Sequence, residues 1–317
     1  MVVLGACTVS ASEPDLDRAL EALRWAAARA EGLGSLEAPT IAAAADFEAV
    51  ATGRLDELRS LLERVLLGAE PEQGLDALLA CGALGALFPA VAKMVGFGDG
   101  EWRHKDLWKH TKQVVAQAPP DRAVRWAALL HDIGKIRTRG LTENGEVHFF
   151  GHAEGGARMF DKLHRRMPLF AAEPELRERV HFLILHHLRA SQYAPSWTDS
   201  AVRRFAREIG GHLGALVQLS RADITTKRPE RRRHGLGLID DLCRRVRELA
   251  ELDAKQPPLP SGVGNALMEA FDLPPSRLIG DIRRVLEQKI DAGELPARAE
   301  CELYVEFVRQ HRGELGF

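Results

Sequence analysis

Helical spacing of apolar residues runs through almost the whole chain and constrains its fold more than any other feature. From Asp15 onward, apolar side chains recur every three or four positions, as at Leu20, Leu23 and Ala27. This period matches the α-helix, whereas a half-buried strand carries apolar residues at alternate positions. The sequence therefore predicts an all-α protein.

One short segment departs from this pattern. Between residues 136 and 150, the pair Asn144-Gly145 precedes a run of β-forming residues. Asn-Gly favours the two-residue turn of a β-hairpin, because both central positions of that turn need a positive φ. We therefore expect one small hairpin in an otherwise helical chain.

Composition and charge narrow the class of protein. The 317 residues are 45% hydrophobic and 28% charged, with a net charge of −2, which is the balance of a water-soluble globular protein. No apolar run approaches the roughly 20 residues of a membrane-spanning helix. The four cysteines are far apart and include no Cys-x-x-Cys pair, so we expect reduced thiols. The prediction is a cytoplasmic protein with no membrane partner.

Segments rich in Gly and Pro divide the chain into regions. They fall at residues 96–100, 119–120, 193–196 and 256–262. We predict an N-terminal extension at 1–18, a helical region at 19–100, a central helical bundle at 101–255 and a helical tail at 262–317.

Six histidines and aspartates lie on or beside apolar helical runs of the central bundle. In chain order they are His110, His131, Asp132, His152, His187 and Asp223. A single histidine on an apolar helix is usually a hydrogen-bonded core residue, but six such coincidences are harder to explain that way. His186 could replace His187, because adjacent helical positions point about 100° apart.

This set of side chains is typical of a catalytic metal site. Imidazoles and carboxylates without thiolates suit Mn, Ni, Co, Mg, Fe or Zn and argue against a structural zinc site. Two such ions bridged by a carboxylate activate water and neutralise charge during attack on a phosphoryl group. We expect one or two divalent ions, with Asp132 as the bridging and catalytic carboxylate.

The order of these residues, with HDIGK from His131 to Lys135 at its centre, resembles the HD superfamily of metal-dependent phosphohydrolases. The segments HKDLWKHT, RWAALLHDIGKIRTR, FGHAEGGARM and SRADITTKR are similar to the HD region of bacterial tRNA nucleotidyltransferases, the CCA-adding enzymes, and their poly(A) polymerase relatives. Flanking segments resemble the neck, body and tail helices of those enzymes. The resemblance implies an HD domain at 101–255 and a neck-like region at 19–100.

The resemblance also implies roles for single residues. It selects His187 as the ligand and makes Lys135 and Arg189 catalytic cations that contact phosphate, although Arg189 could also form an ordinary surface salt bridge. The nucleotidyltransferase head has no counterpart, since residues 1–18 leave no room for it. We interpret Asp15 or Asp17 as a helix start and expect no nucleotidyltransferase activity.

A basic segment follows Asp223. Six Lys or Arg lie from Arg221 to Arg233. We predict that substrate or RNA contacts Lys227, Arg228, Arg231, Arg232 and Arg233. The alternative is a solvated helix face.

The expected function is that of a hydrolase acting on phosphoesters of nucleotides or RNA ends. The family resemblance implies a 2′,3′-cyclic phosphodiesterase, a 2′- or 3′-phosphatase, or both, with tRNA as a candidate partner. Two alternatives stay open. One is a tRNA- or RNA-binding module with a structural metal site, and the other is a small-nucleotide phosphohydrolase.

Overall fold

A computed structural model describes residues 13–33, 37–97, 106–255 and 257–315. Most of the predicted extension at 1–18, and residues 101–105 of the predicted central bundle, lie outside these ranges. The described chain forms two compact units. The first holds the residues up to Gln192 together with 214–236, and the second holds 193–213 together with 237 onward. The domain bounds drawn from the sequence stay predictions.

Helices make up nearly all of the regular structure. In chain order they are α1 (Leu16–Ala30), α2 (Ala44–Gly53), α3 (Leu55–Leu67), α4 (Pro71–Ala80), α5 (Ala83–Leu87), α6 (Pro89–Ala92), α7 (Leu107–Gln117), α8 (Arg122–Leu130), α9 (Lys135–Thr138), α10 (His152–Arg166), α11 (Pro174–His186), α12 (Asp199–Ile209), α13 (Leu213–Asp223), α14 (Pro229–Lys255), α15 (Val263–Phe271), α16 (Arg277–Asp291), α17 (Cys301–Gln310) and α18 (Arg312–Leu315). A 3-10 turn spans Gly210–His212. The prediction of an all-α fold is confirmed.

A single antiparallel hairpin accompanies the helices within the described residues. It pairs β1 (Gly140–Leu141) with β2 (Val147–His148). Gly145 has a φ of 77° in the connecting turn, where a side chain would be strained. The expected hairpin is confirmed, but residues 142–146 connect its strands and Asn144 does not have a positive φ, so the turn is not the two-residue type.

Helix α8 is the centre of the first unit and packs against α3, α7 and α11. The Asp121 side chain caps its start by accepting a hydrogen bond from the Val124 N–H at 3.0 Å. Every residue from Ala123 to Leu130 is buried, so α8 has no solvent-facing side after its first residue. Because it ends at Leu130, the next two residues, His131 and Asp132, enter the interior.

A buried arginine fixes α8 against its neighbours. Arg125 is only 6% exposed, and burial lowers the pKa of its guanidinium. Its Nε donates to the Ala118 carbonyl at 2.8 Å, and its Nη1 donates to the carbonyl of Leu66, in the last turn of α3. These bonds satisfy a charge that burial would otherwise make costly.

Outside the surroundings of α8, α1 has a side-chain cap and the second unit has its own apolar core. Asp15 accepts a hydrogen bond from the Arg18 N–H at 3.0 Å, which confirms its interpretation as a helix start. In the second unit, α15, α16 and α17 enclose an apolar cluster around the fully buried Tyr304. The Tyr304 hydroxyl donates to the Pro296 carbonyl at 2.7 Å. Across the described ranges, no helix combines the length and apolar character needed to cross a bilayer.

Candidate metal centre

The six predicted metal ligands lie on, or directly after, five helices of the first unit. His110 lies within α7, His152 is the first residue of α10, and Asp223 is the last residue of α13. His131 and Asp132 directly follow α8, and His187 directly follows α11. The structure brings all six side chains together around Asp132, which is 1% exposed.

Asp132 divides the cluster, because its two carboxylate oxygens face different histidines. Its Oδ2 lies 3.5 Å from His110 Nε2 and 3.4 Å from His131 Nε2. Its Oδ1 lies 3.5 Å from His152 Nε2 and 3.9 Å from His187 Nε2. Each oxygen and its two imidazoles form a group compact enough to hold one metal ion. We name the group around Oδ2 site A and the group around Oδ1 site B.

Asp223 adds a second carboxylate to site A. Its Oδ1 lies 3.0 Å from His110 Nε2 and 3.6 Å from His131 Nε2. Ligand atoms bonded to one ion at about 2.1 Å are separated by about 3.0 to 3.5 Å. The atoms of site A therefore have close to the mutual spacing that a shared ion requires.

Three of the histidines are oriented by the same local contact. The Nδ1 atoms of His131, His152 and His187 each lie 2.8 to 2.9 Å from the carbonyl oxygen three residues earlier in the chain. A carbonyl only accepts, so each Nδ1 carries the hydrogen. In a neutral ring the Nε2 atom then has its lone pair free and directed at Asp132.

This orientation leaves two lone pairs facing each other in site B. His152 Nε2 and His187 Nε2 are 3.1 Å apart. Moving a hydrogen to either Nε2 would turn the Nδ1 lone pair of that ring onto a carbonyl oxygen, so no neutral tautomer satisfies all four nitrogens. A cation bound between the rings removes the conflict, and the residues of site B therefore fit a metal ion.

A second polar atom in the cluster points to the same conclusion. His131 Nε2 is buried and forms no hydrogen bond within the described residues, its nearest acceptors being the carboxylates of Asp132 at 3.4 Å and Asp223 at 3.6 Å. An unpaired buried nitrogen costs free energy unless an ion or other group binds it. The residues of site A therefore also fit a metal ion.

Electrostatics favour a positive charge in site A. Burial opposes protonation of His131, but the negative charges of Asp132 and Asp223 outweigh burial and raise its pKa to about 10. Burial would raise the pKa of Asp132, yet His131 holds it well below its ordinary value. His110 and His131 likewise outweigh burial and lower the pKa of Asp223. Both carboxylates are therefore ionised at neutral pH.

The site B histidines behave differently. Burial lowers the pKa of His152. Burial, reinforced by the charge of His131, lowers the pKa of His187 to about 4. Both rings are therefore neutral at pH 7, which is the protonation state that a metal ligand needs.

A close backbone contact sets the position of site B relative to site A. A Cβ atom on Gly134 would lie 2.0 Å from the His152 carbonyl oxygen and 2.7 Å from the Gly156 nitrogen. Only glycine allows the turn after Asp132 to pack this closely against the first turn of α10. That contact places His152 beside Asp132.

The other predicted site residues have different positions. Lys135 Nζ lies 2.7 Å from Asp132 Oδ2, next to site A. Arg189 is partly buried in the turn that follows His187. His186, the alternative ligand, lies outside the cluster, with its ring 4.3 Å from that of Phe182.

The basic segment is exposed and starts near site A. All five of its predicted contact residues, Lys227, Arg228, Arg231, Arg232 and Arg233, are exposed. Thr226, Lys227, Arg232 and Arg233 line a surface cavity of about 470 Å³ at the start of α14. Arg233 forms an ion pair with Glu230 at 3.3 Å.

One contributor to the site was missed by sequence reasoning. Thr225 is 4% exposed, and its Oγ1 lies 2.9 Å from His110 Nδ1. It therefore orients the one cluster histidine that does not use a carbonyl for this purpose. Its position two residues after Asp223 was the only available signal, because threonine is common at helix ends and in turns.

Comparisons with known proteins agree with this geometry. Residues 108–233 match the HD domain family. The chain is 30% identical over 277 residues to the A-adding tRNA nucleotidyltransferase of Deinococcus radiodurans, an alignment that covers 83% of this chain and 61% of that protein. It is also 30% identical over 268 residues to the CC-adding tRNA nucleotidyltransferase of Thermus thermophilus, covering 81% of this chain and 57% of that protein.

A shorter match extends the set. The Multifunctional CCA protein of Ectopseudomonas mendocina is 33% identical over 150 residues, which cover 45% of this chain and 36% of that protein. The chain thus spans less than two thirds of the length of each of these relatives. It contains an HD domain and, over more than 80% of its length, it is homologous to tRNA nucleotidyltransferases.

Proposed function

We propose that this chain is a divalent-metal-dependent phosphohydrolase that acts on phosphoesters of nucleotides or RNA ends, as a 2′,3′-cyclic phosphodiesterase, a 2′- or 3′-phosphatase, or both. The observation that carries the proposal is the division of Asp132, whose two oxygens each face a separate pair of imidazoles. A purely structural metal site needs one closed set of ligands and no such bridging carboxylate.

In this proposal, some residues of the cluster bind metal and others bind phosphate. His110, His131 and Asp223 would hold one ion, His152 and His187 would hold the other, and Asp132 would offer one carboxylate oxygen to each. Ions bound there lower the pKa of a water molecule and neutralise charge on a phosphoryl group. Lys135, whose ammonium group already lies beside Asp132, and Arg189 would bind the phosphate oxygens. A cytoplasmic location and a nucleotide or RNA substrate are part of this proposal.

The histidine pair at the end of α11 offers a matched test. His187→Ala should lower the bound metal from two ions to one and abolish hydrolysis of adenosine 2′,3′-cyclic phosphate, while His186→Ala should keep both ions and most of the activity. The measurements are metal content by mass spectrometry and turnover with Mn, Co, Ni or Mg after chelator treatment. Equal effects of the two substitutions, or chelator-resistant activity, would refute the proposed site.

RNA binding is a second candidate function, favoured by the basic segment. Thr225, which contacts His110, is two residues from Lys227, so the exposed cations begin close to site A. Each phosphate neutralised by a cation makes RNA affinity fall more steeply with salt. The proteins similar to this chain are named as tRNA nucleotidyltransferases, which supports tRNA as a partner.

Salt dependence distinguishes RNA from a mononucleotide. Changing Arg231, Arg232 and Arg233 together to Ala should lower the slope of log affinity against log salt for a short RNA by about 2. Hydrolysis of a small phosphoester should be little affected. An unchanged slope would leave these residues as a solvated helix face and would favour a small-nucleotide phosphohydrolase.

A further inference from the structure

An exposed aromatic ring lies next to the metal centre. Phe150 is 76% exposed and is the one aromatic residue among the exposed large hydrophobic side chains of the described ranges. It lies between β2 and α10, two residues before His152. A single exposed apolar side chain needs no explanation by itself, so the inference depends on how the ring is held and on what lies beside it.

The Phe150 ring is held in a stack. Its centroid is 4.2 Å from that of the His148 ring, with an angle of 22° between the planes. His148 in turn lies against Gly140, where a Cβ atom would come within 2.6 Å of His148 Cε1. His148 therefore covers one face of Phe150, and the high exposure of Phe150 leaves its other face in solvent.

The two stacked residues flank Phe149, which contacts His152 and Lys135. The Phe149 carbonyl oxygen lies 2.8 Å from His152 Nδ1, and the Phe149 ring is 5.7 Å from Lys135 Nζ. Two chain steps separate Phe150 from His152, so their Cα atoms are at most about 7 Å apart. Phe150 is thus carried by the short segment that leads directly into His152 of site B.

We propose that Phe150, supported by His148, is a stacking platform for the nucleobase of the substrate. Aromatic side chains bind unpaired bases in this way because every base has a π-face. The platform would select a nucleotide or a single-stranded RNA end over a phosphoester without a base. This inference rests on the proposed phosphohydrolase function and names the substrate class of the same site.

A tryptophan probe tests the platform without any need for catalysis. In the metal-loaded full chain, Phe150→Trp should show fluorescence quenching when adenosine 3′-monophosphate is added and none when ribose 5-phosphate is added. Leu141→Trp is the matched control, because Leu141 is also exposed on the hairpin but its side chain points to the opposite sheet face from His148. Equal quenching in both variants, or none in either, would overturn the proposal.

Kinetics supply a second readout. Phe150→Ala should raise KM for adenosine 2′,3′-cyclic phosphate by about tenfold, the loss expected for one base–aromatic stack, whereas Phe150→Tyr should keep KM within about twofold of wild type. Hydrolysis with an unaltered KM in Phe150→Ala would refute the platform and leave the phosphohydrolase function standing. Base-dependent quenching without any hydrolysis would support the platform and refute that function.

Discussion

Replacing Gly134 by Ala should separate site B from site A. The new Cβ atom would lie 2.0 Å from the His152 carbonyl oxygen, and real Cβ contacts are essentially never shorter than 3.0 Å. The obstacle is backbone, so it cannot rotate away as a side chain could. The turn after Asp132 and the first turn of α10 must therefore move apart by at least the difference, 1.0 Å.

The first turn of α10 carries His152. A shift of about 1 Å exceeds the tolerance of a metal–ligand distance, which is about 0.2 Å, so site B should lose its ion. Site A should keep its ion, because His110, His131 and Asp223 lie on other elements. Forcing an extra methyl group into packed structure costs about 1 to 3 kcal/mol of unfolding free energy, and misplacement of this size lowers turnover about 100-fold.

Metal content, turnover and chemical denaturation would measure these effects. Gly214→Ala is the matched control, because Gly214 lies in α13, the helix of Asp223, and an added Cβ there meets nothing within 4 Å. It should keep both ions and gain up to about 1 kcal/mol from helix propensity. Two bound ions and wild-type turnover in Gly134→Ala would refute the reasoning, as would loss of both ions with the fold intact.

Three further predictions concern the carboxylate at the centre of the cluster and its two charged neighbours. Asp132→Ala should be the most damaging single substitution, because it removes a ligand from both sites, and mass spectrometry should find at most one weakly held ion. In the metal-free protein, protonated His131 should contribute fully to the free energy of unfolding below about pH 6.5. This contribution should be lost as pH rises through about 10. An ion that displaces this proton should bind about tenfold more tightly per pH unit between pH 7 and 9 and release one proton, measurable by titration calorimetry in two buffers. Lys135→Met should leave metal content unchanged and raise KM for a phosphoester, and loss of metal would show instead that Lys135 positions Asp132.

Apolar periodicity predicted the helices and the burial of residues beside them, while the family resemblance selected His187 as the ligand. Periodicity was informative at α8 because this helix is buried on every side. The residues that follow it, His131 and Asp132, therefore also lie in the interior. The turn chemistry of Asn144-Gly145 located the hairpin in the same way. These signals are local, so a single sequence contains them.

Contacts between distant segments could not be predicted. Gly134 belongs to the HDIGK motif, but nothing in the sequence shows that it packs against the backbone of His152. The pairing of Arg122 with Glu63 at 2.6 Å joins α8 to α3 across 59 positions. Periodicity shows which face of a helix is apolar but not which helix packs against it.

The orientation of the imidazoles depends on local contacts, yet the sequence did not predict it. His131, His152 and His187 each sit three residues after the carbonyl that accepts from Nδ1, so the contact is local even though no residue type encodes it. A backbone carbonyl accompanies every residue, which makes this support invisible in a sequence. Thr225 was missed for the opposite reason, since its side chain contacts a histidine on a different helix, α7.

Site A and site B differ in their number of carboxylate oxygens, and this difference predicts the order in which they bind metal. Site A has two imidazoles and oxygens from two carboxylates, whereas site B has two imidazoles and only the remaining oxygen of Asp132. Negative charge attracts a divalent ion strongly where water is excluded, and an ion in site A would withdraw charge from Asp132. Site A should therefore fill first and more tightly. With one ion, the chain would match the proposed RNA-binding module with a structural metal site. An ion in site B would add the second cation that the proposed phosphoester hydrolysis requires.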